Sequence, residues 1–170
     1  MQIYRIKQES LCFLGIIISI KMMNKKKWQY WVIVFLYIFV VFSFSSQDAE
    51  TSSGLSEKIA IIFASILDKI GFTFSFSSLH FFVRKLAHFS EYAVLAILVL
   101  IANNKCPLTR PAWIILVLFM ILVPSFDEGI QLFTEGRAGM IQDVILDMSG
   151  YCVGLLLGHI GRKLWINMKQ

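Results

Sequence analysis

Arg84, His88 and Tyr92 recur every fourth residue in the segment FFVRKLAHFSEYAVLAIL (81–98), so a helix puts them on one face, with Lys85 and Glu91 beside it. A second segment, PSFDEGIQLFTEGRAGMIQDVILDMSG (124–150), carries Asp127, Glu128, Gln131, Glu135, Arg137, Asp143 and Asp147. Asp127 with Gln131, and Asp143 with Asp147, are again four apart. These residue types support three kinds of chemistry. As a binding site, Arg84, Lys85 and Arg137 donate to a phosphate or carboxylate while Tyr92 and Gln131 orient it. As an enzyme, His88 is the general acid or base, oriented by Glu91, Asp127 or Asp143, and Arg137 stabilises developing negative charge. As a structural network, Arg84 or Arg137 pairs with Asp143 or Asp147 and holds helices in register. His88 and Glu91 at i, i+3 are a workable start to a metal site. His80 and His159 fall elsewhere, however, and there is no HExxH, so neither a metal nor a cofactor is expected. No GxSxG nucleophile motif is present, which leaves catalysis undecided.

The elements that must position these groups are membrane spans. Of the 170 residues, 57% are hydrophobic and 16% charged, against roughly 45–50% and 25% in soluble domains. Residues 28–44 hold no charge and follow Lys25, Lys26 and Lys27, with Trp28, Tyr30 and Trp31 as interfacial aromatics. Further spans are expected over 86–102, over 112–123 with continuation through Pro124 toward Gln131, and over 144–161. The expected architecture is an all-α polytopic bundle of about four transmembrane helices plus an amphipathic interfacial helix. That helix follows from Leu55, Ile59, Ile62, Phe63, Ile66 and Ile70, with Thr51, Ser52 or Ser53 as N-cap and Gly71 as stop. It is expected to lie on the membrane surface or to cap the bundle.

Residues 1–24 are set apart as an N-terminal extension to a domain at 25–170. The stretch 11–20 is too short to cross a bilayer alone, and no small-residue cleavage site follows it. It reads as an interfacial segment, part of a further span, or an over-extended start ahead of Met22 and Met23. Cys12, Cys106 and Cys152 form no CxxC and read as free structural thiols. Gly150, Gly154 and Gly158 form a small-residue stripe for close helix packing, within the chain or across a dimer.

Charge gives an orientation. With four spans and Lys25–Lys27 cytoplasmic, eleven of sixteen basic residues fall on the cytoplasmic side and ten of eleven acidic residues on the other. Both termini are then cytoplasmic, and the polar groups of three helix ends meet at the outer face. The basic balance is thereby explained without nucleic acid, which is not an expected partner.

The motifs resemble the VanZ-like membrane proteins of bacteria. The resemblance rests on Lys85, His88, Phe89, Tyr92 and Leu95; on Asp127, Glu128 and Gln131; on Arg137, Asp143, Asp147 and Gly150; and on Phe44, Ser45, Ser46 and Gln47. It covers roughly residues 28–161 and departs at Asp147, where Asn is more usual. It implies a multi-pass protein of the bacterial cell membrane and an envelope role. That role is accessory teicoplanin-type glycopeptide resistance, or binding of an envelope-lipid headgroup at the outer-face site. The implied partners are membrane lipids and a lipid-linked envelope precursor or lipoglycopeptide. An intramembrane enzyme on a lipid-linked substrate and a purely structural or partner-binding protein remain the alternatives. Oligomeric state stays open.

Overall fold

Long apolar runs bounded by lysines, serines and glycines set the helices. The computed structural model describes residues 25–72, 74–108 and 110–169, so the reading of 1–24 and of Cys12 lies outside the described residues. The helices are α1 (Lys25–Ser45), α2 (Ala49–Lys69), α3 (Phe76–Lys105), α4 (Ala112–Leu132) and α5 (Ile141–Asn167). No strand occurs among the described residues. α1, α3, α4 and α5 are each long and apolar enough to cross a membrane, which makes the chain a four-span helical membrane bundle.

α3 starts ten residues before the expected span. Ser75 caps it, accepting from the Ser78 N–H at 3.2 Å, and the Phe-rich segment after it continues the helix. At 30 residues it is about 45 Å long, against roughly 30 Å of bilayer hydrocarbon, so one end of it projects. α4 runs unbroken through Pro124 to Leu132, as expected. Asp48, not Thr51, Ser52 or Ser53, caps α2; its carboxylate accepts from the Thr51 N–H at 2.7 Å. That bond holds the Asp48 pKa below the usual carboxylate value. Gly71, at φ 82°, ends the α2 turn as predicted.

α3 is the central helix and packs against all the others. One face, Tyr92, Leu95, Ala96, Val99 and Ala102, meets Trp31, Val34 and Val41 of α1 and Ile115 and Val123 of α4. Trp31 is therefore not an interfacial aromatic: it is buried, and its indole N–H donates to the Cys106 carbonyl at 2.9 Å. Cys106 is buried and free, and Cys152 is free and exposed. α2 lies against the start of α3 through Ala60, Leu79 and Val83, and the Ser56 hydroxyl pairs with His80 Nε2 at 2.8 Å. Its larger apolar residues, Leu55, Ile59, Ile62, Phe63, Ile66 and Ile70, stay exposed. That is the pattern of a helix with small residues on its partner and large ones in the membrane interface.

The second face of α3 belongs to α5. A Cβ on Gly150 would stand 2.3 Å from the Phe89 carbonyl oxygen, and one on Gly154 would stand 2.1 Å from that of Ala93. Gly158 meets the Leu100 side chain, and Arg162 donates to Asn104 Oδ1 at 2.8 Å. Matched positions advance together, so the two helices run parallel, with α4 returning between them. The glycine stripe is an intramolecular seam.

Gly154→Val is expected to destabilise the bundle by about 3 kcal/mol, the upper part of the overpacking range, because the obstruction is main chain. Gly54→Ala, with nothing within 4 Å of its Cβ, should instead stabilise α2 by about 0.5–1 kcal/mol. Denaturant unfolding in detergent measures both.

Candidate functional site

The glycine seam decides which polar groups meet. With Gly150 and Gly154 seated on Phe89 and Ala93, the turns of α5 before them come level with Lys85 and His88 of α3. The Lys85 ammonium pairs with the Asp143 carboxylate, and His88 Nδ1 lies 3.8 Å from Asp147 Oδ1. Lys85–Asp143 is the only Lys or Arg ion pair among the described residues, since the His88 imidazole carries charge only when protonated. α4 adds Asp127, Glu128 and Gln131, all buried. Gln131 Nε2 donates to Glu128 Oε1 at 3.2 Å and reaches Asp127 Oδ2 at 3.5 Å. Glu128 Oε2 accepts from the Met140 N–H at 2.9 Å, so a carboxylate of α4 caps the start of α5, where the helix dipole favours negative charge. Gly139 permits this: a Cβ there would stand 2.5 Å from the Glu128 carbonyl oxygen.

Arg137 corrects one expectation. It forms no ion pair with Asp143 or Asp147; it reaches the end of α1 instead. Its Nη1 donates to the Ser45 carbonyl at 3.1 Å, beside Thr134 Oγ1 at 3.3 Å, and its Nη2 donates to the Ser52 hydroxyl. Ser45 is in the last turn of α1, where carbonyls lack helical donors. Arg137 thus joins the 133–140 loop, α1 and α2. Arg84 likewise pairs with neither aspartate, and Lys85 takes the Asp143 position proposed for it. The corrected pairing follows from reach. Lys85 points along α3 onto α5, whereas Arg84 turns one position round the helix toward α2.

Arg84, His88, Glu91 and Arg137 line one cavity of about 110 Å³ with Gln47 and Ser52, between the end of α1, the first turns of α2, and α3. Glu91 does not orient His88; its backbone carbonyl accepts from the Tyr37 hydroxyl at 3.1 Å and its side chain faces the cavity. Behind the cavity, facing away from α2, His88, Asp127 and Asp147 bring ligand-type atoms within 4.8 Å of one another. Tyr92 faces Asp127 there without closing a hydrogen bond. Tyr92, Asp127 and Asp147 are wholly buried. His88 Nδ1, Tyr92 Oη, Asp127 Oδ1 and both Asp147 carboxylate oxygens have no hydrogen-bond partner.

All eleven expected site residues therefore gather at one end of the bundle, in two compartments: an Arg-lined cavity and a buried carboxylate group. His88 belongs to both. Sequence spacing missed Ser45 and Ser52 as the partners of Arg137. A loop arginine following one helix is a signal to look for another helix's unsatisfied C-terminal carbonyls, and Ser45 supplies one.

A family model described as VanZ/LLP1 matches residues 28–162. No curated protein and no solved structure matches the chain.

Lys85→Met should cost about 3 kcal/mol, the low end for stranding a buried charge, because the pair retains some solvent contact (22% and 13% side-chain exposure). Lys85→Met with Asp143→Leu should recover most of that loss. Equal losses in the single and double variants, read by unfolding in detergent, would show that the ion pair does not bind α3 to α5.

Proposed function

The chain belongs to the VanZ/LLP1 family, and from that premise and the cavity we propose that it binds the anionic headgroup of an envelope lipid or lipid-linked envelope molecule between Arg84 and Arg137. The observation that carries the reading is that two guanidinium groups line one cavity, shared with the Glu91 side chain, and among the described residues neither forms an ion pair. Arginine is the side chain suited to bidentate capture of phosphate or carboxylate. The volume suits a phosphate-sized group, being roughly that of a few water molecules. The apolar groove of Phe63, Leu67, Phe74, Leu79, Phe82 and Leu86 lies across Val83 from the cavity and suits an acyl chain. Arg137 is partly committed to the end of α1, so Arg84 is the freer donor.

The cavity lies at the outer face of a bacterial cytoplasmic membrane in this reading. Lys25, Lys26, Lys27, Lys105, Arg110, Arg162 and Lys163 crowd the opposite end, which the positive-inside rule assigns to the cytoplasm. Family membership further supports an accessory part in resistance to lipid-bearing glycopeptides, with the captured headgroup as the point of contact.

Orientation is tested in a cysteine-free background. Glu57→Cys should react in intact cells with a membrane-impermeant maleimide, and Lys105→Cys only after permeabilisation; the reverse pattern inverts the topology. Cys106 itself is a poor reporter because it is 4% exposed. For function, expression in a susceptible Gram-positive host should lower sensitivity to a lipid-tailed glycopeptide more than to a tail-free one. Arg84→Gln, made at wild-type level, should lose that protection. Unchanged sensitivity with well-expressed wild-type protein removes the resistance role. Protection retained by Arg84→Gln removes the cavity from it.

A further inference from the structure

We propose that His88, Asp127 and Asp147 form a binding site for one divalent transition-metal ion of the zinc or manganese class. The three residues come from α3, α4 and α5, and their ligand atoms lie within 4.8 Å of one another. The 3.8 Å between His88 Nδ1 and Asp147 Oδ1 compares with about 3.4 Å between adjacent ligand atoms around a tetrahedral ion with bonds near 2.1 Å. That pair needs to close by a few tenths of an ångström, and the widest separation in the group, at most 4.8 Å, by up to about 1.4 Å. One imidazole and two carboxylates are a borderline-hard donor set, matched to zinc or manganese rather than to copper(I) or calcium.

Three observations set this group apart from a structural ion-pair network. Asp127 and Asp147 are each 0% exposed, and among the described residues both Asp147 oxygens and one Asp127 oxygen complete no hydrogen bond, with the Ser45 and Tyr92 hydroxyls the nearest donors to Asp127. The nearby cations are placed elsewhere: Lys85 with Asp143, Arg137 with Ser45 and Ser52, and Arg84 on the cavity wall. Tyr92, wholly buried on the same face of α3 as His88, also points an unpartnered hydroxyl at Asp127. Glu91 on α3, Glu128 on α4 and Asp143 on α5 are further carboxyl groups around the site. Two fully desolvated carboxylates this close repel one another, and a doubly charged cation removes that repulsion and satisfies the bare oxygens together. His88 also lines the cavity, so an ion bound there has a route in from the headgroup site. The site does not depend on the headgroup reading, since uptake is measured without any lipid ligand.

The full chain, purified in detergent and stripped with chelator, is titrated with zinc and, as a spectroscopic probe, with cobalt(II). The expected result is one equivalent per chain by elemental analysis, cobalt d–d absorption of a low-symmetry site, and a rise in melting temperature that chelator reverses. Asp147→Asn and His88→Gln should weaken uptake by more than the roughly 10–100-fold that loss of an outer-shell partner causes. Glu57→Gln, remote from the site, should leave it unchanged. Absence of saturable uptake by the unmutated chain overturns the proposal even if the variants fail to fold. So does undiminished uptake by folded Asp147→Asn and His88→Gln.

Discussion

The contact on which the rest depends is glycine against backbone. α5 can lie along α3 only because Gly150 and Gly154 have no Cβ to collide with the Phe89 and Ala93 carbonyls. In lipid, apolar side chains gain little by leaving one apolar medium for another, so close van der Waals packing holds such helices together. That seam fixes the height of every polar residue on α5 relative to α3. It brings Asp143 to Lys85 and Asp147 to His88. A shift of one residue would turn both aspartates off the seam, because successive helix positions differ by about 100°. Packing geometry and polar chemistry are therefore one constraint.

A second set of contacts closes the same end from the other side. The 133–140 loop folds back so that Glu128 caps α5, Thr134 and Arg137 cap α1, and the Glu135 carbonyl accepts from the Ala49 N–H at 3.2 Å. Helix ends inside or near a bilayer leave backbone groups that lipid cannot satisfy. One eight-residue connection supplies partners to two of them. The charges of Glu128 and Arg137 are thereby partly committed to holding the fold, which distinguishes them from Arg84 and Asp147.

The four spans and the gathering of polar groups at one end were legible because long apolar runs and lysine flanks report directly on membrane crossing. The family followed from motif spacing and holds over residues 28–162. The early start of α3 was not legible: TFSFSSLHFF mixes serine and phenylalanine, and only the Ser75 cap identifies it as a helix start. Pairing was the weakest inference. Residue type says that Arg, Lys and His seek carboxylates, but reach decides which of them do. Lys85 and Arg84 are adjacent in sequence yet turn to different neighbours, α5 and α2. Trp31 was misplaced for a related reason: an indole near a span end can face the interface or a neighbouring helix end, and here the Cys106 carbonyl takes it.

The carboxylates at this end differ in how their charge is balanced, and the difference separates stability from chemistry. Lys85 with Asp143 and Glu128 with the Met140 N–H are closed interactions, each a charge with a partner. Asp127 and Asp147 are open, with oxygens that no donor meets at full burial. A native bundle does not gain stability from such groups, since a desolvated carboxylate lacking donors is strongly unfavourable. They persist only where surrounding packing holds them in place. Here that packing is the glycine seam below and the capped loop above. Asp147 adds a second buried carboxyl group beside Asp127. Burial there makes charge compensation, by cation or proton, a requirement of this carboxyl pair.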